Sequence, residues 1–245
     1  MILYNTLKKI AKLFISKKFL FSNELKFRYL FYLFYKGNSF VCNICNGKLK
    51  TFITNENKSC PKCGSIARER RLWDIICTNN FLEKETILDF SPSRSLYRLI
   101  KKIKNENYLG TDLSGDFIAD KSFDITTIDS EDNSFDLIFC YHILEHVIDD
   151  QKAMSELYRI LKKNGFCIIQ TPFKEGEIYE NHNITNPKER LLAFGQEDHV
   201  RIYSVAGLTE RLENCGFNIK VLTFNEKEDN LNGFNQNETV IICSK

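Results

Sequence analysis

A chain of 245 residues with 43% apolar content is long enough to bury one full-sized core and leave a small accessory domain over. The net charge of +2 hides an asymmetry: residues 1–36 hold eight Lys or Arg against the single acid Glu24, so this segment carries +7 and the remainder −5. An acidic body excludes a general polyanion binder, whereas the basic arm favours an anionic surface.

In chain order the arm comes first, and its Leu, Phe, Tyr and Lys suit one or two helices that pack on the body or lie on a lipid surface. Lys8, Lys9 and Lys12 interrupt the early apolar stretch, so no signal peptide is legible. Arg28 breaks the aromatic stretch from Phe27 to Tyr35, and no run approaches the roughly 18 apolar residues of a membrane helix. The expectation is a cytoplasmic protein with reduced thiols, its residues 1–36 offering peripheral contact with the inner membrane face.

Next, Cys42-Asn43-Ile44-Cys45 and Cys60-Pro61-Lys62-Cys63 form two C-x-x-C pairs separated by fourteen residues. Each pair presents two thiolates from one tight turn, and four thiolates close a tetrahedral zinc shell with no open position, which points to folding and not catalysis. A redox dithiol or unrelated cysteines are the weaker readings. Gly47 and Gly64 follow the pairs and are expected to permit the turns. The other five cysteines, Cys77, Cys140, Cys167, Cys215 and Cys243, sit in apolar contexts and are expected in the core. A helix is expected from Ser65 to Thr78, with Arg68-Glu69-Arg70-Arg71 facing water.

From Thr86 onward, short apolar runs alternate with helical periods, the pattern of a parallel sheet covered by helices. Strands are expected at Thr86 to Phe90, Tyr108 to Thr111, Phe135 to Cys140, Phe166 to Gln170, Phe217 to Phe224 and Thr239 to Cys243. Helical faces run through Leu96, Leu99, Ile100 and Ile103, and through Ala153, Leu157, Ile160 and Leu161, with Asn164-Gly165 ending the second. Ser204 caps a further helix that stops at Gly216. Three parts follow: an arm over 1–36, a zinc module with linking helix over 37–80, and a large domain over 81–245.

The stretch Ile87 to Ser95 is an apolar strand, a loop of small residues and a helix start, where an open parallel sheet binds ligands. Asp112 ends the next strand, where an acid can accept hydrogen bonds from both ribose hydroxyls of a nucleoside cofactor. Asp124 and the Glu131 to Ile138 stretch continue a series of acids along one sheet edge. Over residues 85–245, through Leu88-Asp89-x-Ser91-x-Ser93-x-Ser95, Asp112, Asp124-Ile125, Asn133 to Ile138, Leu144-Glu145-His146-Val147 and Glu156 to Lys162, the chain resembles the class I methyltransferases. The resemblance implies a Rossmann-like, mostly parallel sheet of seven strands with the last strand antiparallel, and S-adenosylmethionine as cofactor. It also implies that Asp112 holds the ribose, Asp124 and Ile125 the adenine, and the loop of Asp89, Phe90, Ser91 and Ser93 the methionine portion, with Tyr141 beside them. Ser91, Ser93 and Ser95 stand where the family usually carries glycines, which let backbone approach the ligand.

His142-Ile143-Leu144-Glu145-His146 matches the H-x-x-E-H pattern of inverted zinc peptidases, but a peptidase needs a long helix and a further acidic ligand. The two remaining histidines, His182 and His199, lie in the connection from Pro172 to Tyr203, which is placed to cover the cofactor's methyl group. His199, beside Glu197 and Asp198, is the expected acceptor base, with His142 next in line. The function expected is methyl transfer to an oxygen or nitrogen of a small molecule or glycan. The rivals are an RNA methyltransferase that grips phosphates with Arg68, Arg70 and Arg71, and a catalytically silent zinc-containing binding protein.

Overall fold

A computed structural model describes residues 17–53, 57–227 and 230–245. The part of the expected arm within residues 1–16 lies outside the described residues. The chain divides into two compact units, Met1–Trp73 with Asp229–Phe234, and Asp74–Glu228 with Asn235–Lys245.

Among the described residues of the first unit, helix α1 (Lys17–Tyr32) comes first and leads into a short 3-10 turn. Strands β1 (Lys36–Cys42) and β2 (Gly47–Leu49) follow as an antiparallel hairpin. Tyr32 is buried and donates its hydroxyl to the Lys48 carbonyl at 3.0 Å, while Lys50 N–H donates to the Tyr35 carbonyl at 2.8 Å. Helix α2 (Ala67–Thr78) begins here. Its expected water-facing arginines are instead inside: Arg70 is 0% exposed and Arg71 2%. The Arg70 guanidinium donates to the carbonyls of Asn232 at 2.6 Å, Gly233 at 2.7 Å, and Ser65 and Lys58 at 2.9 Å, and lies 4.0 Å from the Phe52 ring. Arg71 stacks 3.8 Å from the Phe234 ring. A buried guanidinium is tolerated because four of its N–H bonds meet carbonyls, and two of those carbonyls, of Asn232 and Gly233, come from a segment no local pattern could reveal.

The second unit is built on a six-stranded sheet in the order β4-β3-β5-β6-β10-β9. The strands are β3 (Ile87–Phe90), β4 (Tyr108–Thr111), β5 (Phe135–Tyr141), β6 (Leu161–Gln170), β9 (Asn218–Asn225) and β10 (Asn237–Ser244). The first four run parallel, and the last, β10, inserts antiparallel between β6 and β9. Helices α3 (Arg94–Lys104), α4 (Asp150–Ile160) and α6 (Val205–Asn214) are capped by Ser93, Asp149 and Ser204, each accepting a backbone N–H of its first turn. The apolar faces of α4 and α6 join Leu88, Ile138, Cys167 and Ile241 in one core, while α3 buries Leu96 and Ile100. Between β6 and α6 lie β7 (Tyr179–Glu180), helix α5 (Pro187–Phe194) and β8 (Arg201–Ile202), with β7 and β8 paired antiparallel.

Several expectations change. Among the described residues the sheet has six strands where seven were expected, and at the β4 edge a single bridge, Thr111 with Lys121, stands in for the other strand. The Asp120 carboxylate accepts the Gly110 N–H at 3.0 Å, so a side chain satisfies an edge donor that a strand carbonyl would otherwise take. Asn164-Gly165 lies within β6 and not at the end of a helix, since α4 has already closed at Ile160. Cys77 is exposed, unlike the buried Cys140, Cys167 and Cys243. His142 and His146 share no helix; only a 3-10 turn, Leu144–His146, forms there, and His142 takes a left-handed φ of 56°.

Candidate functional site

The two C-x-x-C turns bring four sulfurs together. Cys42 and Cys63 are 3.7 Å apart, Cys45 and Cys60 3.8 Å, and all four sulfurs lie within 4.8 Å of one another. Sulfurs about 2.3 Å from a common tetrahedral zinc would stand about 3.8 Å apart, so the spacing fits that shell. Each turn is closed by backbone: Asn46 N–H donates to the Cys42 carbonyl at 2.8 Å and Gly64 N–H to the Cys60 carbonyl at 2.9 Å. Gly64 has φ of +85°, as expected, but in the first turn Asn46 takes the left-handed conformation at 52°. Gly47 is needed for space, because a Cβ there would come within 2.9 Å of the Lys62 side chain.

The second locus is the C-terminal edge of β3, β4 and β5, where the strand order reverses direction around β3. Ser91 leaves β3 with φ of 49°, a left-handed value that favours glycine, and its N–H donates to the Thr111 carbonyl at 2.6 Å. Its hydroxyl donates to Asp112 Oδ1 at 2.7 Å. Asp112 Oδ2 accepts from the Ser114 hydroxyl at 2.9 Å and the Gly115 and Phe117 amides at 2.6 and 3.4 Å. Burial pushes the Asp112 carboxyl up, but the bonds from Ser91, Ser114 and the two amides outweigh it and hold the group below its ordinary range. Asp89 is buried and accepts the Tyr108 hydroxyl at 2.7 Å. Ser93 caps α3 and pairs with Ser95, Oγ to Oγ, at 3.3 Å. Phe90 and Ile125 turn their side chains into the core, leaving only backbone for a ligand. Asp124 is exposed and accepts the Thr126 amide and hydroxyl, which lower its pKa, the amide foremost. Tyr141 ends β5, half-buried, at the same edge.

Just past β5 the chain assembles a third group. One ligand atom from each of Glu145, His146 and His199 lies within 4.8 Å of the others. His142 Nδ1 is 3.0 Å from Glu145 Oε1, and His146 Nδ1 is 3.2 Å from Asp198 Oδ2. The rings of His146 and His199 meet edge to face at 4.6 Å. Burial raises the Glu145 pKa, but His142 and then His146 draw it down further, leaving it lowered overall. Burial, seconded by His146, lowers the pKa of His199, so its imidazole is held neutral. His182, by contrast, is exposed and stands apart from this group.

Distant segments hold the cluster. Val200 N–H donates to the Glu145 carbonyl at 2.9 Å. Buried Arg201 donates to the carbonyls of Leu144 at 3.0 Å, Ile148 at 2.8 Å and Val147, and to Glu180 at 3.0 Å. Arg211 bridges Glu180 and Asp150, and Tyr203 donates to Asp150. The sequence reading passed over Arg201, Arg211 and Glu180, whose roles depend on partners 21 to 61 positions away. Glu145 carried a signal in the H-x-x-E-H pattern.

The family model for a methyltransferase domain matches residues 86–169, from the start of β3 to the end of β6. Over 50 residues the chain is 44% identical to an uncharacterized protein of Methanocaldococcus jannaschii, covering 20% of this chain and 22% of that one. Over 89 residues it is 28% identical to a probable S-adenosylmethionine-dependent methyltransferase of Mycolicibacterium smegmatis, covering 36% and 31%. The chain thus spans less than a third of the length of these two curated relatives. Among solved structures it is similar to an S-adenosylmethionine-dependent methyltransferase from Archaeoglobus fulgidus, with a TM-score of 0.55, 18% identity, and coverage of 73% of this chain and 93% of that one. The sheet order, the antiparallel last strand, the matched segment and this likeness together establish the fold of the second unit as that of the class I S-adenosylmethionine-dependent methyltransferases.

Proposed function

We propose that this chain moves a methyl group from S-adenosylmethionine to an oxygen or nitrogen acceptor on a small molecule or glycan. The observation that carries the reading is the Ser91–Asp112 pair within the matched segment, at the C-terminal edge of β3 and β4: an ionised carboxylate beside a small residue in a glycine-like conformation. Such a carboxylate suits a ribose diol, and the left-handed turn at Ser91 keeps the loop backbone open to a ligand despite the missing glycine. When bound, S-adenosylmethionine supplies an activated methyl on a positive sulfur. Asp112 then orients the nucleoside, the loop from Asp89 to Ser93 holds the methionine end, and the cluster of His142, Glu145, His146 and His199 faces the acceptor.

Zinc belongs to the same proposal as a structural ion on Cys42, Cys45, Cys60 and Cys63, where the donor set and its spacing fit. The RNA reading loses support because Arg70 and Arg71 are spent on carbonyls and an aromatic ring. The test is calorimetry with S-adenosylmethionine, then labelled-methyl transfer across an acceptor panel of hydroxyl and amine compounds, glycans and RNA. No binding of S-adenosylmethionine by the folded, zinc-loaded chain would sink the reading in favour of a silent binding protein.

A further inference from the structure

We propose that Glu145, His146 and His199 bind one divalent cation, separate from the four-sulfur site, and that this cation receives a hydroxyl acceptor. One carboxylate and two imidazoles form the ligand set of divalent sites that keep positions open for water or substrate. Here one ligand atom of each is already within 4.8 Å of the other two.

The surroundings point the same way. His199 is 2% exposed, and its Nε2 is buried with no hydrogen-bond partner. Its other ring nitrogen is engaged by the Phe194 backbone. A buried imidazole nitrogen with no hydrogen-bond partner is the arrangement that leaves a histidine ready to ligate a metal. Asp198 holds the His146 ring in the same manner, as a carboxylate behind an imidazole. Glu145 is 1% exposed; His142 Nδ1 meets its Oε1 at 3.0 Å, and the buried carboxylate stands within reach of an ion held by His146 and His199. The His146 side chain is 33% exposed, so one side of the group is open to an incoming ligand. Val200 by its backbone N–H and Arg201 by its guanidinium clamp the two chain segments, which gives the site a fixed geometry before any ion arrives.

The assignment of a hydroxyl acceptor rests on the methyl-transfer reading. A cation lowers the pKa of a bound hydroxyl. The hydroxyl proton passes to water, the oxygen forms its bond to the methyl carbon, and the carbon–sulfur bond breaks with its electron pair remaining on sulfur. His199 acts in this scheme as a ligand, and not as the base expected from the sequence.

The test uses the full chain, dialysed against manganese chloride, because oxygen and nitrogen donors take manganese where thiolates favour zinc. Total bound zinc plus manganese should be about two ions per chain in the wild type and about one in Glu145→Gln and His199→Gln. His182→Gln should bind as the wild type does. Should His199→Gln misfold, His146→Gln at the half-exposed position replaces it. Wild-type protein holding only its sulfur-bound ion would overturn the cation site, as would uptake undiminished in the variants. S-adenosylmethionine binding is measured on the same samples: cation uptake without it removes only the methyl-transfer reading, and binding without cation uptake removes only this proposal.

Discussion

Ser91 shows how a single residue can meet two demands at once. A non-glycine residue at φ 49° costs roughly 1 to 2 kcal/mol, and the hydroxyl offsets this by donating to Asp112. Ser91→Ala keeps the strain and loses the donor, so it should destabilise the fold by about 1 to 3 kcal/mol, whereas Ser91→Gly sheds the strain and should cost less. Urea unfolding of the two variants side by side checks that order. Asp112→Ala should bind S-adenosylmethionine at least about tenfold more weakly, since each charge-assisted bond lost is worth about 1.5 to 3 kcal/mol. Calorimetry on the folded variant decides it, and unchanged affinity would move the ribose site elsewhere. Asp112 was legible because a carboxylate closing a short apolar run needs no distant information. Arg70 was not, because the carbonyls of Asn232 and Gly233 that bury it lie more than 160 positions downstream.

At the scale of elements, the strands were readable from apolar runs with edges shifted by a residue or two, since buried parallel strands leave continuous hydrophobic stretches, except that β6 starts five residues early, at Leu161, through a polar stretch that carries no such signal. Hidden from any such reading was that the seventh strand implied by the resemblance does not form among the described residues, where the Asp120 carboxylate takes the Gly110 N–H at the β4 edge. The pairing of β7 with β8 was equally hidden: strands of two residues leave no period to detect. Glu180 at the end of β7 is drawn down to about 2, chiefly by its bond with Arg211 and then by Arg201, against the opposing effect of burial. A depressed folded-state pKa means that the fold favours the ionised form. The stability Glu180 contributes is therefore complete above its ordinary value of 4.5 and is lost as pH falls through about 2. Stability measured across that window should fall less steeply in Glu180→Gln than in the wild type. For the cysteine turns the proposed zinc makes a different prediction, because the stability of a structural site is that of metal binding. Cys60→Ser should lose zinc and unfold the first unit, as read by metal analysis and circular dichroism, and a metal-free, well-folded native protein would refute the assignment.

On the scale of the molecule, charge and exposed apolar surface coincide at the arm. Phe19, Phe27, Tyr29, Leu30, Leu33 and Phe34 are all exposed, Phe34 to 74%, in a segment with an excess of +7. No described helix is long and apolar enough to cross a membrane. We expect weak binding to vesicles rich in phosphatidylserine, worth about 1 kcal/mol per Lys or Arg near the surface and lost at high salt. Flotation should show the triple variant Phe27→Ser, Leu30→Ser, Phe34→Ser binding less, with S-adenosylmethionine affinity intact. Substitution is the better test than deletion of residues 1–36, because Tyr32 and Tyr35 anchor the cysteine module. Binding that survives the substitutions would detach the arm from any lipid role.

The grip of Arg70 on Asn232 and Gly233 also bears on the order in which the protein is made. A ribosome delivers the cysteine turns first, and the carbonyls that complete their unit emerge more than 160 residues later. Until then the nascent cysteine module holds its guanidinium by the Ser65 and Lys58 carbonyls alone, a span during which chaperones or premature aggregation would compete. Fragments ending near residue 80 would inherit that unfinished state permanently.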